Sequence, residues 1–135
     1  MILVDSSVWI DYFNGRITWQ TNLLDQLLQQ VPIITGDIIL TEVLQGFRTD
    51  KEYTKAKEVM AILECRTLLD CRTAAQCAEN YRRLRRKGVT VRKTIDIIIG
   101  TFCIVHEIPL LHADKDFLPM EQHLGLKKVS STSHA

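Results

Sequence analysis

Met1-Ile2-Leu3-Val4-Asp5-Ser6-Ser7-Val8-Trp9-Ile10-Asp11-Tyr12-Phe13 changes its period at Asp5. Four consecutive apolar residues read as a short buried strand. Beyond Asp5 the apolar positions Val8, Trp9, Tyr12 and Phe13 fall on one face of a helix. Ser6 and Ser7 are good N-caps for that helix. Asn14-Gly15 ends it, since both residues tolerate positive φ. The segment is a strand, a carboxylate at its C-terminal end, and a helix leading away.

The alternation continues outward. Leu23, Leu24, Leu27 and Leu28 form a second helical stripe. Val31–Thr35 reads as the next strand, and Gly36-Asp37 opens a helix through Ile38, Ile39, Val43, Leu44 and Phe47. Asp50 caps a helix to about Glu64, with Val59, Met60, Ile62 and Leu63 inward. Thr67–Leu69 reads as a third strand, and Thr73 caps a basic helix that stops at Gly88. Thr90 or Thr94 opens an apolar helix to about His106, followed by a strand at Ile108–Leu111. Asp116–Leu124 reads as a short helix and Lys127–Val129 as a fifth strand candidate. Strands alternating with helices predict an α/β fold: a mostly parallel sheet of four to five strands flanked by helices.

One domain over residues 1–129 accounts for the pattern, with a polar tail at 130–135 expected to fray. The 135 residues suffice to bury a core without disulfides or a structural metal. The formal net charge is +1, so a nucleic-acid partner has to show itself in local clustering. Cys65, Cys71, Cys77 and Cys103 form no C-x-x-C pair. They read as reduced, mostly buried thiols of a cytosolic protein. No apolar run approaches the roughly 20 residues of a membrane span, and the opening lacks the basic start of a signal peptide. A cytoplasmic protein with no membrane partner is expected.

In an open α/β sheet, ligands sit beyond the C-terminal strand ends. Asp5 follows the first strand, Asp114 the fourth, and Asp37 and Glu42 belong to the segment after the second. Asp96 stands among Ile95, Ile97, Ile98 and Ile99. A carboxylate buried there needs a partner or a metal. Carboxylates without His or Cys select magnesium or manganese. Such a site can activate a water for displacement at phosphorus. Each acid also has a structural use: Asp5 as a helix cap, Asp114 and Asp116 in a turn, Glu42 on a solvated face, Asp96 at a helix start. Asp11, Asp25, Asp70 and Glu79 lack the strand-end placement and read as surface or cap residues.

Seven of the chain's 17 Lys and Arg fall between residues 82 and 93. Among them, Arg82, Arg85, Arg86, Lys87, Arg92 and Lys93 are candidates for holding a nucleic-acid phosphate backbone beside Asp96. A solvated helix face is the alternative. Trp9, Tyr12, Phe13 and Trp19 read mostly as core or interface residues.

These stretches resemble the PIN-domain family and its VapC-type toxins from Met1 to about Val129. Ile2-Leu3-Val4-Asp5 with the following helix is similar to the first motif, and Thr41-Glu42-Val43-Leu44-Gln45-Gly46 to the second. Arg85-Arg86-Lys87-Gly88 with Ile95-Asp96-Ile97-Ile98-Ile99-Gly100 is similar to the third. Leu110-Leu111-His112-Ala113-Asp114-Lys115-Asp116-Phe117 is similar to the fourth, with Asp114 the better acid and Asp116 the second. His112 departs from the pattern, standing where the family often has Thr or Ser. It reads either as a core histidine or as a substrate contact.

The resemblance implies a Mg2+- or Mn2+-dependent endoribonuclease, the toxin of a type II toxin–antitoxin pair. Its substrate would be a structured RNA such as transfer RNA. Asp5, Glu42, Asp96 and Asp114 would be its catalytic acids, and Asp5, Asp96 and Asp114 its metal ligands. A homodimer and a VapB-type antitoxin are implied with it. Two other readings stay open: a non-catalytic metal-binding interaction module, and a different magnesium phosphohydrolase. The latter usually wants a second Asp where this chain has Ser7.

Overall fold

A computed structural model describes residues 1–131, so most of the tail expected to fray lies outside the described residues. Four short strands form one parallel sheet: β1 (Ile2–Val4), β2 (Ile33–Gly36), β3 (Glu64–Arg66) and β4 (Leu110–Leu111), in the order β3-β2-β1-β4. β1 is central. It pairs Ile2 with Ile33 on one side and Leu3 with Leu110 on the other, and all three of its residues are buried. An uninterrupted apolar run is what a strand covered on both faces requires.

The connections are helical: α1 (Ser6–Phe13), α2 (Trp19–Leu27), α3 (Asp37–Gln45), α4 (Asp50–Met60), α5 (Cys71–Arg86) and α6 (Thr94–His106). A 3-10 turn (Lys115–Phe117) then leads into α7 (Leu118–His123). No described helix is long and apolar enough to cross a membrane. Trp9, Ile39, Ile99, Leu110 and Phe117 are among the fully buried side chains at the centre. Two glycines let elements approach closely. A Cβ on Gly36 would lie 2.2 Å from Leu68 Cγ, and one on Gly100 would lie 2.2 Å from Met120 Sδ. Gly100 therefore brings α6 against α7 and the turn before it.

Several local expectations are corrected. The cap of α1 is Asp5, whose side chain accepts from Ser7 N, rather than Ser6 or Ser7. Thr49, not Asp50, caps α4, which stops at Met60 and leaves Ile62 84% exposed. The third strand lies at Glu64–Arg66, three residues before Thr67–Leu69. There Leu68 instead fills the space over Gly36. Asp70 rather than Thr73 caps α5, the two forming a reciprocal capping box. Lys127–Val129 makes no strand, only a parallel bridge from Leu110 to Lys128. Cys77 and Cys103 are buried, but Cys65 and Cys71 are exposed.

Candidate metal centre

Each acid arrives on a different element. β1 ends directly in Asp5, which is 3% exposed. Its Oδ2 accepts from Ser7 N at 3.1 Å and Ser7 Oγ at 2.6 Å. Glu42 projects half-buried from α3, and its Oε1 accepts from Ser6 Oγ at 3.0 Å. Asp96 lies in the first turn of α6 and is 5% exposed. Asp114 and Asp116 follow β4, with Asp114 capping the 3-10 turn by accepting from Asp116 N at 2.9 Å.

Asp96, Asp114 and Asp116 converge most closely: each offers an oxygen within 4.8 Å of the others'. Asp116, expected only as the second choice beside Asp114, joins the group together with it. Asp5 and Glu42 stand outside this closest trio but share its field. Burial pushes the Asp96 carboxyl up to about 6, with Asp114, Asp5 and Asp116 adding to the rise and Lys93 opposing it. Glu42 is raised mainly by burial, and Asp5 and Asp114 raise it further. Asp5 is raised by burial against the pull of its Ser7 hydrogen bonds. Lys93 is raised in turn, chiefly by Asp96 and then by Asp114.

One carboxylate oxygen of this group is left over. Asp96 Oδ2 is buried and has no hydrogen-bond partner among the described residues. A buried carboxylate oxygen in that position is very unfavourable unless a cation meets it. The donor set is all oxygen, which suits magnesium or manganese. The residues present thus fit a divalent cation.

The basic segment divides. Lys93 Nζ lies 3.6 Å from Asp114 Oδ2, and Arg92 reaches Asp116 Oδ1 at 3.6 Å. Arg82 and Arg85 instead line a groove of about 430 Å³ between α5 and α6, with Tyr81, Ile97 and Ile98; none of the carboxylates borders it. Arg86 and Lys87 are exposed at the end of α5. Among the other acids, Asp37 accepts from Ile38 N and Leu68 N, Asp11 pairs with Arg16, and Asp25 accepts from Tyr12.

Two contacts escaped the sequence reading. Ser7 Oγ accepts from Ala113 N at 3.1 Å while donating to Asp5, so it ties the β4 loop to the end of β1. Glu121 on α7 lies 2.6 Å from His112. No local pattern announces either contact, since the partners are 106 and 9 residues apart.

A parallel sheet ending in converging acids at the carboxyl edge of β1 and β4 is a PIN-type arrangement, and the chain belongs to the PIN-domain family, whose profile it matches over residues 2–121. Within that family its relatives are VapC ribonucleases. Ribonuclease VapC11 of Mycobacterium tuberculosis is 30% identical over 132 residues, covering 96% of this chain and 98% of the relative. Among solved structures, VapBC2 from Rickettsia felis, bound to a promoter DNA fragment, superposes with a TM-score of 0.76 at 16% identity. That match covers 96% of this chain and 98% of the other. VapBC-1 from nontypeable Haemophilus influenzae superposes with a TM-score of 0.72 at 16% identity, covering 98% and 100%.

Proposed function

We propose that this chain is a divalent-metal-dependent endoribonuclease and the toxin of a toxin–antitoxin pair. The observation that carries the reading is the convergence of Asp96, Asp114 and Asp116 within 4.8 Å of one another, together with an Asp96 Oδ2 that is buried and has no hydrogen-bond partner among the described residues. The name of the VapC11 relative supports RNA as the substrate. Asp5, Asp96, Asp114 and Asp116 would hold Mg2+ or Mn2+, with Glu42 at the edge of the same field. When bound, such a cation supplies an acidified water and offsets charge building at phosphorus.

The protein's own groups do the rest. Ser7 anchors Asp5 and the β4 loop together, so the acids of two strands keep one geometry. Arg92 and Lys93, both exposed beside the acids, hold the RNA backbone by charge. Arg82, Arg85, Arg86 and Lys87 extend that positive surface along α5. A structured RNA such as transfer RNA, and hence a cytoplasmic location, belongs to the same reading.

The VapBC structures that share this fold support an antitoxin partner of the VapB type. An Arg from such a partner would pair bidentately with these carboxylates and block the centre. A homodimer of this chain completes the proposal. The direct test is cleavage of structured RNA by the purified protein with Mn2+. Wild type should nick it and Asp96→Asn should not; equal activity in the two proteins would remove the mechanism.

A further inference from the structure

Both ring nitrogens of His112 are engaged inside the protein. Nε2 lies 2.6 Å from Glu121 Oε2, and Nδ1 lies 3.2 Å from the backbone nitrogen of Asp114. A backbone N–H can only donate, so Nδ1 must offer a lone pair. The ring proton then sits on Nε2 and is donated to Glu121. The His112 and Glu121 side chains are each 11% exposed, and the ring packs on Phe117 with centroids 4.9 Å apart. Neither nitrogen remains available for a substrate.

The contacts define what this arrangement holds. The loop after β4 is tied down by Ala113 N donating to Ser7 Oγ, by Asp114 N donating to His112 Nδ1, and by Asp116 N donating to Asp114 Oδ1. The main chain of Asp114 is held at both ends, its N–H by His112 Nδ1 and its carbonyl by Phe117 N at 3.2 Å, and the His112 bond is the one made by a side chain. We propose that His112 and Glu121 are positioning residues for the metal centre. Glu121 locks the imidazole with its proton on Nε2, and the bare Nδ1 holds Asp114 so that its carboxylate meets Asp96. This inference rests on the metal-binding reading above.

Two variants of the full chain separate the ring's two roles. In His112→Asn the amide oxygen takes the place of Nδ1 and can accept from the N–H two residues on. In His112→Gln the amide nitrogen takes the place of Nε2, but no acceptor remains beside Asp114 N. Mn2+ binding without RNA, followed by calorimetric titration, is the readout, with melting in EDTA as the check on folding. Groups that orient metal ligands are typically worth about 10- to 100-fold in metal affinity, so His112→Gln should lose at least about tenfold while His112→Asn stays within about threefold of wild type. Equal affinities in the two variants, or the reverse order, would overturn the assignment.

The wild-type protein supplies a second measurement that needs no variant to fold. Nitrogen NMR of the metal-free protein should show His112 Nδ1 unprotonated and Nε2 protonated, and the opposite tautomer would refute the proposal. A wild-type protein that fails to bind Mn2+ defeats the metal centre instead, so the two failures are distinguishable.

Discussion

Replacing Asp96 with Asn keeps the shape of the side chain and removes its charge. Its carboxyl stands at about 6 in the fold, against an ordinary 3.8, chiefly because it is buried. That rise of about two units corresponds to about 3 kcal/mol by which the folded state disfavours the ionised form. The sign follows from protonation. Below pH 3.8 the group is neutral in both states and contributes nothing. Between about 4 and 6 the unfolded chain ionises first, and the penalty on folding grows. Above 6 it is fully present.

Metal-free Asp96→Asn should therefore be more stable than wild type at pH 8 by up to about 3 kcal/mol, or roughly 10 °C in melting temperature for a domain of this size. The gain should shrink as pH falls from 6 to 4. Scanning calorimetry in EDTA across that range, alongside the RNA cleavage assay, measures both sides of the trade. A variant no more stable than wild type at pH 8, or one whose gain does not change with pH, would refute the burial argument.

Mn2+ at about 100-fold its dissociation constant should stabilise wild type by about 2.7 kcal/mol, and Asp114→Asn should lose most of that shift in a thermal melt. Gly100→Ala would drive a Cβ to 2.2 Å from Met120 Sδ; about 1–3 kcal/mol of destabilisation is expected on chemical denaturation, and an unchanged midpoint would show that Met120 yields freely. The double variant Arg92→Gln/Lys93→Gln should lower the salt dependence of binding to an uncleavable RNA by about 1 to 2 in log–log slope, followed by fluorescence anisotropy. An unchanged slope would take these two side chains off the RNA.

The sequence reading reached furthest where burial writes a pattern. Ile2-Leu3-Val4 and Leu110-Leu111 are apolar because the middle of a parallel sheet is covered on both faces. The acids after them could be placed by strand-end logic alone, and Asp96 by its apolar neighbours. Edge strand β3 is exposed or half-buried throughout, so Glu64-Cys65-Arg66 carries no hydrophobic signature and the apolar Leu68-Leu69 drew the assignment instead. Asp5 proved to be a helix cap and a member of the acidic field at once, two uses the sequence offered as alternatives. The division of the basic segment was not legible, because it depends on how α5 packs against α6. The His112–Glu121 contact joins residues on different elements and leaves no periodic trace.

The order of the strands has a consequence for biosynthesis. β1 is made before the other three strands yet lies between β2 and β4, and its second neighbour enters the chain only at Leu110–Leu111. Asp114 and Asp116 come later still. A nascent polypeptide halted before that point carries Asp5, Glu42 and Asp96 with no closing edge to gather them. On the proposed function, a ribosome making this protein would be exposed to the assembled nuclease only after Asp116 had been added and released from it.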